Sequence, residues 1–192
     1  MSKSILVILG HPNPDSFCAA LAQAYSEGAQ AKGLPCHLLK LSELKFEPVL
    51  KRGFQADQPL EPDLQTAQKA IQSAQHLVWV YPNWWGGLPA LLKGFIDRVF
   101  LPGFAFKYQQ GPIPAKLLKG RSARLLITLD TPVWLYRFGM GAPGVKVMQS
   151  AVLAFSGVTP TKTTLMGPQR GASPDKRQKW LEQAFELGKR GA

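Results

Sequence analysis

Ser4-Ile5-Leu6-Val7-Ile8-Leu9 runs straight into Gly10-His11-Pro12-Asn13-Pro14-Asp15-Ser16-Phe17, and the rest of the chain reads outward from that junction. A continuous apolar run of this length suits a strand buried on both faces, as in a parallel sheet. The loop that follows is stiffened by Pro12 and Pro14, and Ser16 or Asp15 stands where a helix cap belongs. Phe17, Ala20, Leu21, Ala24, Tyr25 and Gly28 then share one face of a helix over Ser16–Lys32. Strand, polar loop and helix start make the first unit of an α/β layer.

The same alternation recurs. Cys36–Leu41, Leu77–Tyr81, Arg124–Leu129 and Thr161–Met166 are further strand candidates, the last being the weakest pattern. Helical periods lie between them at Asp63–Ala74, at Val147–Phe155 (closed by Gly157) and after Ser173-Pro174. The cleanest stripe is Leu88, Leu91, Leu92, Phe95, Ile96, Val99 and Phe100, with Pro89 near its start, where a missing N–H costs nothing. Five strands alternating with five helices predict a three-layer α/β domain with a mostly parallel sheet and helices on both faces. No repeat, low-complexity block or linker divides the 192 residues, so a single domain over 1–192 is expected.

Composition narrows the function classes. The chain is 45% hydrophobic and 18% charged, which excludes disordered and collagen-like classes. No apolar run approaches the roughly 18 residues of a membrane span, and Ile5–Leu9 is too short for a signal-peptide core. Cys18 and Cys36 make no disulfide framework, and His11, His37 and His76 have no metal-ligand spacing with them or with each other. A soluble cytoplasmic protein is expected. The net charge of +11 is regional, with 9 basic and 8 acidic side chains before residue 101 and 14 and 4 after it. That asymmetry fits a solubilising surface, an anionic membrane neighbour or a phosphorylated small molecule. Nucleic acid is not expected, because zinc-finger spacing and RNP-like aromatics are both missing.

In parallel sheets ligands sit beyond the carboxyl ends of the strands, so three loops carry the chemistry. Gly10–Phe17 is neither a dinucleotide fingerprint nor a P-loop, but a strand, polar loop and helix start can hold an anion on free N–H groups, with Ser16 and His11 as added donors. The alternative is that Ser16 only caps the helix. Tyr81-Pro82-Asn83-Trp84-Trp85-Gly86-Gly87-Leu88-Pro89 puts adjacent tryptophans in a glycine-flanked turn, which suits a flat ligand better than a second core. Leu129-Asp130-Thr131-Pro132-Val133-Trp134-Leu135-Tyr136 offers donors beside Trp134 and Tyr136, although Asp130 also suits a simple turn brace. Phe104-Ala105-Phe106-Lys107-Tyr108 is an aromatic loop that suits the core, a partner subunit or a pocket lid. Cys18 reads as a buried inert thiol or as one whose pKa a helix start lowers. With no acid–base dyad in these loops, an enzyme here needs a cofactor for the hard chemistry.

Gly-His-Pro followed by Asp-Ser-Phe, then Pro82-Asn83-Trp84-Trp85, Leu88–Phe100 and the Phe104–Phe106 triplet together resemble the NAD(P)H:quinone oxidoreductase (DT-diaphorase-like) family of flavodoxin-like flavoproteins, in its bacterial branch. The resemblance implies a five-stranded sheet in the order 2-1-3-4-5 and a tightly bound, non-covalent FAD or FMN. It implies flavin phosphate at His11, Ser16, Phe17 and Cys18, a ring wall at Pro82, Asn83, Trp84 and Trp85, and ring-edge contacts at Thr128, Leu129, Asp130 and Thr131. Tyr136 matches a family tyrosine and is the expected catalytic side chain; Phe106, Tyr108 and Trp134 are expected on the substrate face, the first two reaching across a homodimer. One departure is plain: no histidine follows residue 130, so a mechanism leaning on the family histidine does not transfer. The expected activity is two-electron transfer from NAD(P)H to a quinone-like acceptor by a ping-pong hydride mechanism. Two other readings stand beside it. A regulatory flavoprotein subunit of a membrane potassium-efflux system would make peripheral contact with a membrane protein. A flavodoxin-type electron carrier would need an acidic docking surface, which a charge of +11 does not favour.

Overall fold

A computed structural model describes residues 3–53 and 58–192. Five parallel strands, β1 (Ile5–Leu9), β2 (Cys36–Lys40), β3 (His76–Pro82), β6 (Ser122–Thr128) and β7 (Thr161–Met166), form one sheet in the spatial order β2-β1-β3-β6-β7. A separate two-stranded hairpin pairs β4 (Phe106–Lys107) with β5 (Ala115–Lys116). The helices are α1 (Phe17–Ala31), α2 (Pro62–Ser73), α3 (Ala90–Val99), α4 (Pro143–Lys146) and α5 (Pro174–Lys189). α4 continues without a break into a wider helical stretch, Val147–Ala154. The expected five-stranded, three-layer α/β architecture is therefore present, in the 2-1-3-4-5 order.

Period two along the strands divides the core into two slabs. Leu6, Ile8, Leu77, Trp79, Tyr81, Leu125 and Ile127 face one way, against Leu64, Ile71, Phe95, Val99, Met148 and Leu153. Ile5, Val7, Leu9, Val78, Val80 and Leu126 face the other, against Leu21, Ala22, Tyr25, Ala29 and Ala184. β1 and β3 are buried along their whole length, which explains their unbroken apolar sequences. On the second face α1 and α5 touch backbone to backbone. A Cβ at Gly28 would lie 2.0 Å from the Phe185 carbonyl oxygen, and one at Gly188 would lie 2.0 Å from that of Tyr25. Only glycine permits that approach.

One ion pair organises the opposite face. Arg98 on α3 has no exposed surface, and its guanidinium donates to both Glu61 carboxylate oxygens (3.2 and 2.9 Å) and to the Pro59 carbonyl (2.8 Å). It also donates to the Glu47 carbonyl, so it ties both ends of the segment between β2 and α2 to α3. A buried charge needs this degree of pairing, because breaking such a pair leaves an uncompensated ion.

Candidate functional site

The loops after β1, β3 and β6 meet at the carboxyl edge of the sheet, as parallel pairing requires. Ser16 caps α1 from extended backbone (φ −73°, ψ 158°), its hydroxyl accepting the Ala19 N–H at 3.3 Å. Asn13 accepts the Ser16 N–H through its carbonyl and the Asp15 N–H through its side chain. Phe17 and Cys18, the first residues of α1, have N–H groups with no acceptor among the described residues. Two free donors plus the helix dipole make an anion seat. His11 Nδ1 accepts the Asn13 N–H at 2.9 Å. Burial holds the ring's pKa below its ordinary value of 6.5. The neutral ring thus carries its proton on Nε2, which is left to donate. The Cys18 side chain belongs elsewhere. It is buried with Sγ 3.2 Å from Thr128 Oγ1, and burial pushes its pKa up to about 12. Of the two readings of this thiol, the buried, inert one is what the structure shows; any contact of Cys18 with a ligand at the helix start is through its backbone.

The second loop is a two-residue hairpin. Trp84 N–H donates to the Gly87 carbonyl (3.2 Å) and Gly87 N–H to the Trp84 carbonyl (2.9 Å). The central residues, Trp85 and Gly86, have φ of 52° and 75°, the positive values of a type I′ turn. Glycine adopts them freely, whereas a side chain there costs roughly 1–2 kcal/mol. Trp85 bears that strain while its ring is fully exposed (relative accessibility 104%), so the fold gains nothing from it. Strain of this kind concentrates at ligand sites. Trp84 is 44% exposed and meets the His11 ring edge-on at 5.4 Å, which joins the two loops. Pro82 is buried in β3, and Asn83 N–H donates to the Thr128 carbonyl at 2.7 Å, tying the hairpin to β6.

The third loop is more fully engaged with the protein. Leu129 is buried, its N–H and carbonyl bonded to Met166 and Gln169. Asp130 accepts the Arg170 N–H at 2.7 Å, the brace that its place in the sequence suggested. Thr131 stays partly exposed at the loop's outer end and Trp134 is 66% exposed. Tyr136 has no exposed surface. Its hydroxyl donates to the Gly86 carbonyl at 3.5 Å, behind the hairpin. Burial raises its pKa, so the phenol is neutral at pH 7. Phe106 is half-buried against Phe155 (5.0 Å) and Tyr108 (5.3 Å), Phe104 packs inward on Phe100, and Tyr108 is 70% exposed.

Sequence reasoning passed over Gly141-Ala142-Pro143-Gly144. A Cβ at Gly144 would lie 2.6 Å from the Gly86 carbonyl oxygen, and one at Gly86 would lie 3.4 Å from Pro143 Cγ. This turn is the seat of the tryptophan hairpin. Two glycines bracketing a proline were the available signal.

A family model described as flavodoxin-like fold matches residues 3–187. The chain is 32% identical over 167 residues to an uncharacterized NAD(P)H oxidoreductase of Haemophilus influenzae, covering 84% of this chain and 82% of that one. It is 33% identical over 138 residues to NAD(P)H dehydrogenase (quinone) 1 of Cavia porcellus, covering 59% of this chain and 50% of that enzyme. Among solved structures, Smu.1420 from Streptococcus mutans UA159 superposes with a TM-score of 0.83 at 29% identity, covering 97% of this chain and 99% of that one.

Proposed function

This chain belongs to the flavodoxin-like family of NAD(P)H:quinone oxidoreductases, and on that premise we propose that it is a flavoenzyme passing two electrons from NAD(P)H to a quinone-like acceptor. The observation that carries the proposal is the pairing, on one sheet edge, of an anion seat at the start of α1 with a strained, fully exposed Trp85 ring. The residues fit a flavin on those grounds. Free N–H groups await a phosphate, and an aromatic face awaits a flat ring. FMN and FAD both satisfy them.

A bound flavin would supply the two-electron chemistry between NAD(P)H and the acceptor, which no side chain here can supply. Ser16, the Phe17 and Cys18 N–H groups and His11 Nε2–H hold its phosphate. Trp84 and Trp85 wall the ring, Pro82 and Asn83 fix the hairpin's root, and Thr131, Asp130 and the β6 end (Thr128, Leu129) border the ring's polar edge. Tyr136, placed behind Gly86, acts as a positioning residue that sets the hairpin's height. Exposed Trp134 would border the space that reductant and acceptor occupy in turn, an arrangement that gives ping-pong kinetics. Exposed Tyr108, Trp134 and Phe138 (81%) form apolar surface that association of two copies would cover, with Phe106 and Tyr108 closing the partner's slot.

The purified protein should show the absorbance of an oxidised flavin, released on denaturation and identified by chromatography, and should consume NADH or NADPH only when a quinone such as p-benzoquinone is present. A colourless protein that takes up neither FMN nor FAD, or a flavin-loaded one inert to both nucleotides, would overturn the proposal. Sedimentation at micromolar concentration reads the dimer separately.

A further inference from the structure

Beyond the flavin loops, a cavity of about 430 Å³ opens between α4 and the edge strand β7. Small-molecule sites typically occupy about 300–1,000 Å³. Arg137 and Lys146 line it together with apolar Val145 and Leu165 and polar Gln149 and Thr163. No acidic residue lines it, and neither cation lies within ion-pair distance of a carboxylate among the described residues. The Lys146 ammonium is folded over the turn at Gly141, 3.4 Å from where a Cβ of that residue would stand. Holding two unpaired cations over one hollow is unfavourable by itself and is relieved by an anion.

The hollow has features that a bare anion would not use. Its apolar lining residues, Val145 and Leu165, suit a flat ring. Gln149 Nε2 donates to Thr163 Oγ1 at 3.0 Å, which leaves the Gln149 carbonyl oxygen as an acceptor and the Thr163 O–H as a donor. An acceptor and a donor side by side suit the exocyclic amine and a ring nitrogen of adenine. The rim is strained as well as charged: Gly141 and Ala142 both have positive φ (71° and 48°), an unfavourable conformation for the alanine. The same turn carries Pro143 and Gly144, on which the Trp84–Gly87 hairpin rests. The hairpin and the cavity are therefore built on the same turn.

We propose that the cavity between α4 and β7 receives the phosphorylated adenosine end of the reductant, with Arg137 and Lys146 holding its 2′-phosphate and biasing the enzyme toward NADPH over NADH. The inference rests on the reading of the protein as an NAD(P)H-using flavoenzyme and gives a role to part of the positive charge concentrated in the second half of the chain. It is tested with flavin-saturated protein, so that the anion seat on α1 is already filled. Calorimetry with 2′,5′-ADP should detect binding that weakens with added salt, and the Arg137→Gln/Lys146→Gln double variant should bind at least about tenfold more weakly, as expected for losing two charge-assisted contacts. Flavin content should not change in that variant, because neither side chain is among the groups assigned to hold the flavin. In steady state the KM for NADPH should rise more than that for NADH. Equal 2′,5′-ADP affinity in wild type and double variant, or a KM ratio that does not move, overturns the assignment while leaving the flavoenzyme reading intact. Failure of flavin-loaded wild type to oxidise either nucleotide instead sinks the flavoenzyme reading, and with it the reductant as occupant.

Discussion

Replacing Trp85 by Asn sets the stability of the fold against its proposed function. Asn-Gly is the preferred centre of a type I′ turn, and asparagine enters the left-handed region more easily than tryptophan does. Relief of that strain is worth about 1 kcal/mol, and no burial is lost in exchange because the indole is fully exposed. In a domain of this size the gain corresponds to a rise of roughly 2–4 °C in Tm. Flavin binding should move the other way. Losing one stacked aromatic wall costs about 1–3 kcal/mol by analogy with base stacking, a rise of roughly 5- to 150-fold in Kd. Scanning calorimetry on flavin-free protein measures the first effect and quenching of flavin fluorescence measures the second. A less stable flavin-free variant would mean that the ring packs on the protein after all; unchanged flavin affinity would mean that Trp85 walls nothing.

Ser16→Ala should lower stability by about 1 kcal/mol through loss of the α1 cap and also raise the flavin Kd; a lower Tm with unaltered Kd would reduce Ser16 to a cap. Gly188→Ala would drive a methyl group into the Tyr25 carbonyl, so the urea midpoint should shift by the equivalent of about 3 kcal/mol, whereas the same change at Gly171, which has nothing within 4 Å, should not pry any helices apart. Buried His76, bonded through Nδ1 to Ser122 and near Lys3, Arg124 and Lys162, has its pKa pushed down to about 3, chiefly by burial. The unfolded chain therefore takes up a proton below pH 6.5 that the folded one refuses, and stability present above pH 6.5 is lost as pH falls toward 3, by up to about 1.4 kcal/mol per pH unit. His76→Gln should flatten that part of the acid-unfolding profile, and an unaltered profile would show that other groups govern it.

The layers could be read from the sequence because parallel strands buried on both faces leave continuous apolar runs, and Thr161–Met166, the weakest of them, has the bounds expected. The Leu88–Phe100 stripe gives α3, shortened to Ala90–Val99 because Pro89 stands at its cap. The two-residue strands β4 and β5 are too short to show any period. Loop residues were legible by type but not by direction. Trp84 and Trp85 face outward as their turn chemistry suggested. Tyr136, in a segment read as an open loop, is instead drawn inward by a helical turn, Leu135–Gly139, which begins when its N–H bonds to the Pro132 carbonyl. Phe104 and Phe106 find Phe100 and Phe155, and the second of those contacts spans a distance along the chain that no local pattern encodes. The Arg137–Lys146 hollow escaped notice for the same reason: its wall is completed by Thr163 and Leu165 from another strand.

The glycine seam between α1 and α5 bears on how the molecule is made. Its two halves, Gly28 and Gly188, leave the ribosome far apart in time, roughly 8–30 s at ordinary elongation rates. Until α5 emerges, the outer face of α1 has no partner at Tyr25 and Gly28, and the slab it covers is closed on one side only. Docking of α5 is therefore a late event that must find a nearly finished sheet. Nascent chains stalled before residue 174 should bind chaperones that recognise apolar surface and should let go once α5 has cleared the exit tunnel.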